Sequence, residues 1–145
     1  LGLMQLMPAT SAEIGFKNIS EPEANIQAGV LYLRKLSERF PDVRPSDRLA
    51  MVLAAYLIGP GHVLDAQELA RALGLSPQRW HHGIEETLPL LEDDRFHPKT
   101  RLGYARGRLA VGYANRVLKR FDLYRKHLAR KPARQASAET LRPAA

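Results

Sequence analysis

The chain has 145 residues, 45% of them hydrophobic, which suits one domain with its own core and excludes a disordered protein. It contains no cysteine, which excludes disulfides and thiolate metal sites. The net charge of +7 is uneven. Five of those charges fall in residues 125–145, where Arg125, Lys126, Arg130, Lys131, Arg134 and Arg142 meet only Glu139, and the nearly balanced body argues against a nucleic-acid-binding protein.

Residues 8–14 read as a short helix opened by Pro8 and stopped by Gly15. Glu21-Pro22-Glu23 opens a long helix, with acids in the first turn where the helix dipole favours them. Its apolar positions Ile26, Val30, Leu33, Leu36 and Phe40 recur three or four apart and predict the buried stripe, and Pro41 ends it. Ser46 is the expected N-cap of the next helix. Leu49 to Ile58 is apolar on all faces and predicts a central helix buried from every side, broken by Gly59-Pro60-Gly61. His62 to Leu73 is the next helix, with Val63, Leu64, Ala66, Leu69, Ala70 and Leu73 inward and Gly74 as its stop. Ser76-Pro77 is expected to start a helix carrying Trp80. Leu88–Leu91 is a short apolar patch, and residues 92–101 read as a surface loop. The last helix is expected from about Tyr104 to about Ala129, with Leu109, Val117, Phe121, Tyr124 and Leu128 among its apolar members. No strand-like alternation and no internal repeat is present, so the predicted class is all-α. No apolar run approaches the ~20 residues of a membrane span. No secretory leader is visible, and a chain that starts at Leu1 reads as part of something longer.

Three stretches carry candidate chemistry. Gly2 to Thr10 is GLMQLMPAT, apolar but for the amide of Gln5. On residue types alone it is a buried turn in which Met4 and Met7 fill irregular gaps. Ala54-Ala55-Tyr56-Leu57-Ile58-Gly59-Pro60-Gly61-His62 ends a buried helix with a phenol beside a turn, and on residue types alone a core tyrosine satisfied locally is the favoured reading. Gly103-Tyr104-Ala105-Arg106-Gly107 and Tyr113-Ala114-Asn115-Arg116-Val117 read, taken bare, as an amphipathic helix with two exposed glycines.

In this order and spacing the three stretches resemble signatures of the lytic transglycosylases of the soluble-lytic-transglycosylase type. The Tyr-Ala-Arg-Gly string, Leu64-Asp65-Ala66 and Leu88-Pro89-Leu90-Leu91 resemble most the membrane-bound, F-type branch. The resemblance covers residues 1 to about 124. It implies an all-α, lysozyme-like multi-helix domain of the goose-type lysozyme and transglycosylase fold. It also implies cleavage of peptidoglycan glycan strands between MurNAc and GlcNAc with a 1,6-anhydro product. Such enzymes use one glutamic acid, first as acid on the glycosidic oxygen and then as base on the muramic 6-hydroxyl. The resemblance places that residue shortly before the Gly-Leu-Met-Gln motif, upstream of Leu1. None of Glu13, Glu21, Glu23, Glu38, Glu68, Glu85, Glu86, Glu92 and Glu139 has the Glu-Ser setting, and the adjacent Glu85 and Glu86 read as a surface pair. The fragment alone is therefore expected to be inactive.

By the same resemblance Tyr113 orients the carboxyl, Gln5 and Met7 line the sugar subsite, and Met4 and Tyr56 supply a dry wall around it. Two positions depart from the pattern: Leu57 stands where Asn is usual, and Leu109 where Glu is frequent. They motivate the alternative of a non-catalytic relative that binds glycan without cutting. His62, His81 and His82 lack the spacing of a metal site, so no metal and no cofactor is expected. The expected partners are glycan strands and no nucleic acid, with membrane or cell-wall contact through the basic tail. A monomer in a Gram-negative periplasm, associated with the outer membrane, is expected. Residues 1–130 are assigned to the transglycosylase catalytic domain, with its N-terminal part missing, and 131–145 to a disordered basic tail.

Overall fold

The computed structural model describes the backbone of residues 2–16 and 18–140, and the side chains of the same residues as far as Arg130. Among the described residues every regular element is helical: α1 (Pro8–Glu13), α2 (Pro22–Ser37), α3 (Pro45–Ile58), α4 (Pro60–Ala72), a wide turn at Trp80–Ile84, α5 (Glu85–Thr87), 3₁₀ turns at Leu88–Glu92 and His97–Lys99, and α6 (Gly107–Thr140). The all-α class is as expected.

Each of the first four helices has a proline in its first turn, where the missing N–H is no loss. α3 therefore starts at Pro45, with Arg44 at the N-cap, rather than being capped by the Ser46 side chain two residues later. Gly59 (φ 92, ψ 146) holds a conformation closed to side-chain-bearing residues and lets α4 begin at the very next residue.

α3 is the axis of the domain and packs against α2, α4 and α6. Ala50 to Ala55 is buried without a gap, and around it close Phe40, Val63, Trp80, Ile84, Leu88, Leu91, Ala110 and Ala114. The small residues on α3 and α6 let the two backbones approach. A second, smaller cluster of Leu6, Ile14 and Ala28 joins the N-terminal segment to α2, and Tyr32 and Tyr56 pack against both clusters.

Four burial expectations are corrected. Leu49 and Leu57, at the ends of α3, are exposed, because neighbouring helices cover only its middle. Leu73 is exposed on the last turn leaving α4. On α2, Ile26 and Val30 are exposed, and the buried face runs through Asn25, Ala28, Gly29 and Leu36. Small residues win that face because Met4 lies directly over Gly29, where a Cβ would overlap its side chain. On α6, Phe121, Tyr124 and Leu128 are exposed because the helix leaves the body after its first three turns, and Leu109, in its first turn, is exposed on the rim of a surface groove.

Ser76-Pro77 does not open a helix. Trp80 sits in a wide turn whose His81 (φ −72, ψ 140) and His82 (φ 58, ψ 32) are not helical. Gly83 lies so close to the Ser76 carbonyl that no Cβ fits. The turn is held by Asp47 at the start of α3, which accepts the Trp80 N–H at 2.9 Å and the Arg44 guanidinium at 2.7 Å. Trp80 Nε1–H donates to Asn115 Oδ1 (3.0 Å), and Asn115 donates to Glu85 (2.7 Å), which ties the turn to α6. Glu85 is thus half-buried and structural, and only Glu86 of the expected surface pair stands in solvent.

Burial by itself raises the Asp47 pKa, but the Trp80 and Arg44 hydrogen bonds outweigh it and hold the carboxyl below its ordinary 3.8. A depressed folded pKa contributes stability that is fully present above the unfolded value and is lost as pH falls through the folded value. Asp47→Asn is expected to cost ~1–3 kcal/mol at neutral pH and to flatten the loss of stability below about pH 4. Urea midpoints across that window check this; parallel curves for the two proteins would remove Asp47 from the acid response.

α6 is described as far as Thr140, past the expected end near Ala129, and so reaches as helix into the segment assigned to the tail. Residues 141–145 of that segment lie outside the described residues.

Candidate functional site

The N-terminal motif folds as a tight turn pinned from two sides. The Met4 N–H donates to Asn25 Oδ1 (2.7 Å), and the Tyr56 hydroxyl donates to the Met4 carbonyl (2.7 Å). Asn25 is 1% exposed, and its amide nitrogen donates to the Ile19 carbonyl (3.1 Å), so both ends of the side chain are used. Gln5, next to this clamp, has φ 51, a left-handed conformation uncommon for a residue with a side chain. Backbone strain of this kind persists where the surroundings over-determine it. Here the bonds to Met4 do so, and the amide of Gln5 is turned outward.

The five residues singled out from the sequence come together. Met4, Gln5, Met7, Tyr56 and Tyr113 line one groove of about 620 Å³, with Leu3, Leu33, Leu53, Leu57 and Val117 as its apolar walls. Met4 is half-buried against Gly29, whereas Met7 is 62% exposed and fills no core gap. Burial pushes the Tyr56 phenol above its ordinary 10, and the neighbouring Tyr113 and Tyr32 hydroxyls add to the effect. Burial also raises Tyr32, with the charge of Glu13 adding to it. The Tyr32 and Tyr56 rings meet at 5.4 Å, tilted by 56°. The Tyr56 phenol is thus held in its protonated form, the form that donates to the Met4 carbonyl.

Leu57 is not on a buried face, as its apolar run suggested, but exposed between this groove and a neighbouring one of about 340 Å³. Leu109 lines that second groove too, with Ile58, His62, Tyr104, Ala105 and Arg106. The two departures from the signature pattern therefore share one surface. Each removes a polar group from it, and the apolar floor they leave abuts the main groove.

No carboxylate lines the main groove among the described residues. The histidines of the wide turn have carboxylates beside them: His81 Nδ1 meets Glu85 at 2.5 Å and His82 Nδ1 meets Glu86 at 3.5 Å. These are isolated pairs, and no group of three potential metal ligands forms among the described residues.

Sequence reasoning missed Asn25, the residue that fixes the N-terminal turn. Its signal was a polar residue in phase with Ala28, Tyr32 and Leu36, three or four apart, on the face that is in fact buried. It missed His62 and Arg106 as groove residues because nothing local marks them.

A helical domain built around a buried central helix, with an aromatic and amide-lined groove across the end of it, is the class that fold and site define. The transglycosylase SLT domain family matches residues 1–77, and the chain belongs to that family. It is 45% identical over 129 residues to a membrane-bound lytic murein transglycosylase F of Desulfosudis oleivorans, an alignment covering 88% of this chain and 28% of that protein. It is 43% identical over 122 residues to the protein of that name from Shewanella pealeana, covering 83% and 25%. It is 35% identical over 141 residues to that of Vibrio campbellii, covering 97% and 26%. The chain thus spans about a quarter of the length of these curated relatives.

Proposed function

We propose that residues 1–130 are the larger part of a catalytic domain that cleaves the MurNAc-β-1,4-GlcNAc bond of peptidoglycan and leaves 1,6-anhydro-MurNAc ends, in a Gram-negative periplasm at the outer membrane. The observation that carries it is the single groove in which Met4, Gln5, Met7, Tyr56 and Tyr113 meet. Its apolar walls suit the faces of sugar rings, and its amide and phenols suit their hydroxyl and N-acetyl groups.

The reaction needs a carboxylic acid that is protonated at neutral pH, and apolar surroundings supply that shift. The acid gives its proton to the glycosidic oxygen as the bond to the anomeric carbon breaks. The substrate's N-acetyl oxygen bonds to that carbon in turn. The carboxylate then takes the proton of the 6-hydroxyl, whose oxygen displaces the N-acetyl oxygen and closes the anhydro ring. Atoms and charge balance without water. Since the groove has no carboxylate of its own among the described residues, the acid is proposed to come from a glutamate preceding Leu1, with the Tyr113 hydroxyl positioning it.

The test compares the isolated chain with the parent domain carrying its upstream segment, both incubated with sacculi and assayed for anhydro-muropeptides. The expected result is release by the parent domain only. Release by the isolated chain would show that the acid lies within it. Binding without release by both would favour a glycan-holding relative.

Gln5→Ala in the parent domain is expected to raise KM about tenfold or more, the loss of one or two hydrogen bonds to a sugar, with stability little changed because Ala at φ 51 is no freer than Gln. Unaltered binding would remove Gln5 from the subsite.

A further inference from the structure

We infer that the projecting part of α6 is a docking face for an anionic lipid surface. Every residue from Lys119 to Arg130 is exposed, so this stretch contributes nothing to the core. Apart from Leu123, which is 60% exposed and lies off the row, its large apolar residues are not scattered. Val117, Phe121, Tyr124 and Leu128 follow one another at spacings of four, three and four, and so form one stripe about 16 Å long. Phe121 is 49% exposed, Tyr124 69% and Leu128 62%. A contiguous row of large apolar side chains in water marks a surface that meets something else.

Charge identifies the partner's chemistry. Arg116, Lys119, Arg120, Arg125, Lys126 and Arg130 stand on the same stretch against Asp122 alone. By helical rotation Arg120 and Arg125 flank the stripe on either side, while Lys119 and Lys126 lie opposite it. Flanking arginines beside aromatic and leucine side chains are the pattern of a helix lying in a membrane interface, its apolar face among the acyl chains and its cations at the phosphates. A soluble polyanion would engage the cations and leave Phe121, Tyr124 and Leu128 without a role. No helix among the described residues is long and apolar enough to cross a bilayer, so α6 lies on the surface rather than spanning it.

Val117, the first residue of the stripe, also lines the main groove. Docking would therefore hold the groove close to the lipid and restrict it to glycan running near that surface. This consequence rests on the glycan-cutting proposal; lipid binding itself does not.

The test is co-sedimentation of the full chain with phosphatidylcholine vesicles and with vesicles in which part of that lipid is replaced by phosphatidylglycerol. Preferential binding to the anionic vesicles, weakened by salt, is expected. The combined change Phe121→Gln, Tyr124→Gln and Leu128→Gln leaves net charge intact and is expected to weaken binding by about tenfold or more. In a separate variant, Tyr124→Trp, emission is expected to shift to the blue on anionic vesicles, over the fixed background of Trp80, which is already buried. Failure of the wild-type chain to sediment with anionic vesicles overturns the inference. So does undiminished binding by the triple variant, which would leave charge alone and point to a polyanion partner. A Tyr124→Trp emission that stays unchanged while the protein sediments also overturns it, because the stripe would then remain in water.

Discussion

Gly107→Ala is expected to destabilise the domain by ~3 kcal/mol, the upper range for overpacking a filled site. Gly107 is buried where α6 starts, its N–H donating to the Ala105 carbonyl (2.9 Å). A Cβ there would fall onto the Leu88 carbonyl and within 2.9 Å of the Pro89 nitrogen. Both obstacles are backbone, so no side chain can swing aside, and the start of α6 must move away from the Leu88–Glu92 turn. Gly112 supplies the contrast within the same helix. Its Cβ would meet only the tip of the Arg116 guanidinium at 3.2 Å, so Gly112→Ala is expected to stabilise the helix by up to ~1 kcal/mol. Urea denaturation of the two variants checks both signs, and equal effects would mean that the approach of α6 to Leu88 is looser than described.

Tyr113→Phe, made in the parent domain, is expected to lower kcat about a hundredfold with KM and stability nearly unchanged. Tyr113 is half-buried on α6, two turns past Gly107, and its ring packs against the main core, a role that Phe retains. The hydroxyl is what is lost, and with it the proposed bond that orients the acid. Muropeptide release at saturating substrate measures it. A fall in kcat with an unmoved thermal midpoint separates positioning from folding, and unchanged turnover would exclude Tyr113 from the chemistry. The two substitutions also test each other. If Gly107→Ala displaces α6 without unfolding it, turnover is expected to fall further than stability does, because Tyr113 moves with the helix.

Much of the fold was legible because its punctuation is local. Pro8 and Pro22 each mark a helix start, and the continuous apolar run of α3 announces the central helix, whereas Pro45 and Pro60, read as loop and as break, turn out to open α3 and α4. What was not legible depends on partners. Ile26 and Val30 carry a helical period as good as that of Asn25, Ala28 and Tyr32; only the arrival of Met4 over Gly29 decides which face is buried. The positive φ of His82 follows from the closeness of Gly83 to Ser76, which no local pattern encodes. Phe121, Tyr124 and Leu128 look like core residues in any periodicity argument, since spacing reports that a helix has an apolar face but not whether the domain covers it. The site itself came from a resemblance of strings. Composition and period alone left Met4 and Tyr56 as core residues and Tyr113 as one member of an amphipathic helix, and their meeting in one groove is a property of the three-dimensional packing.

The two hydrophobic clusters give the molecule two levels of cooperativity. The large one locks α3, α4, α6 and the Trp80 turn together. The small one, with the bonds from Asn25 and Tyr56 to Met4, is what holds the wall bearing Gln5 and Met7. A wall held by so small a cluster is expected to exchange its backbone amides by local unfolding, at a fraction of the global free energy, while the rest of the domain stays native.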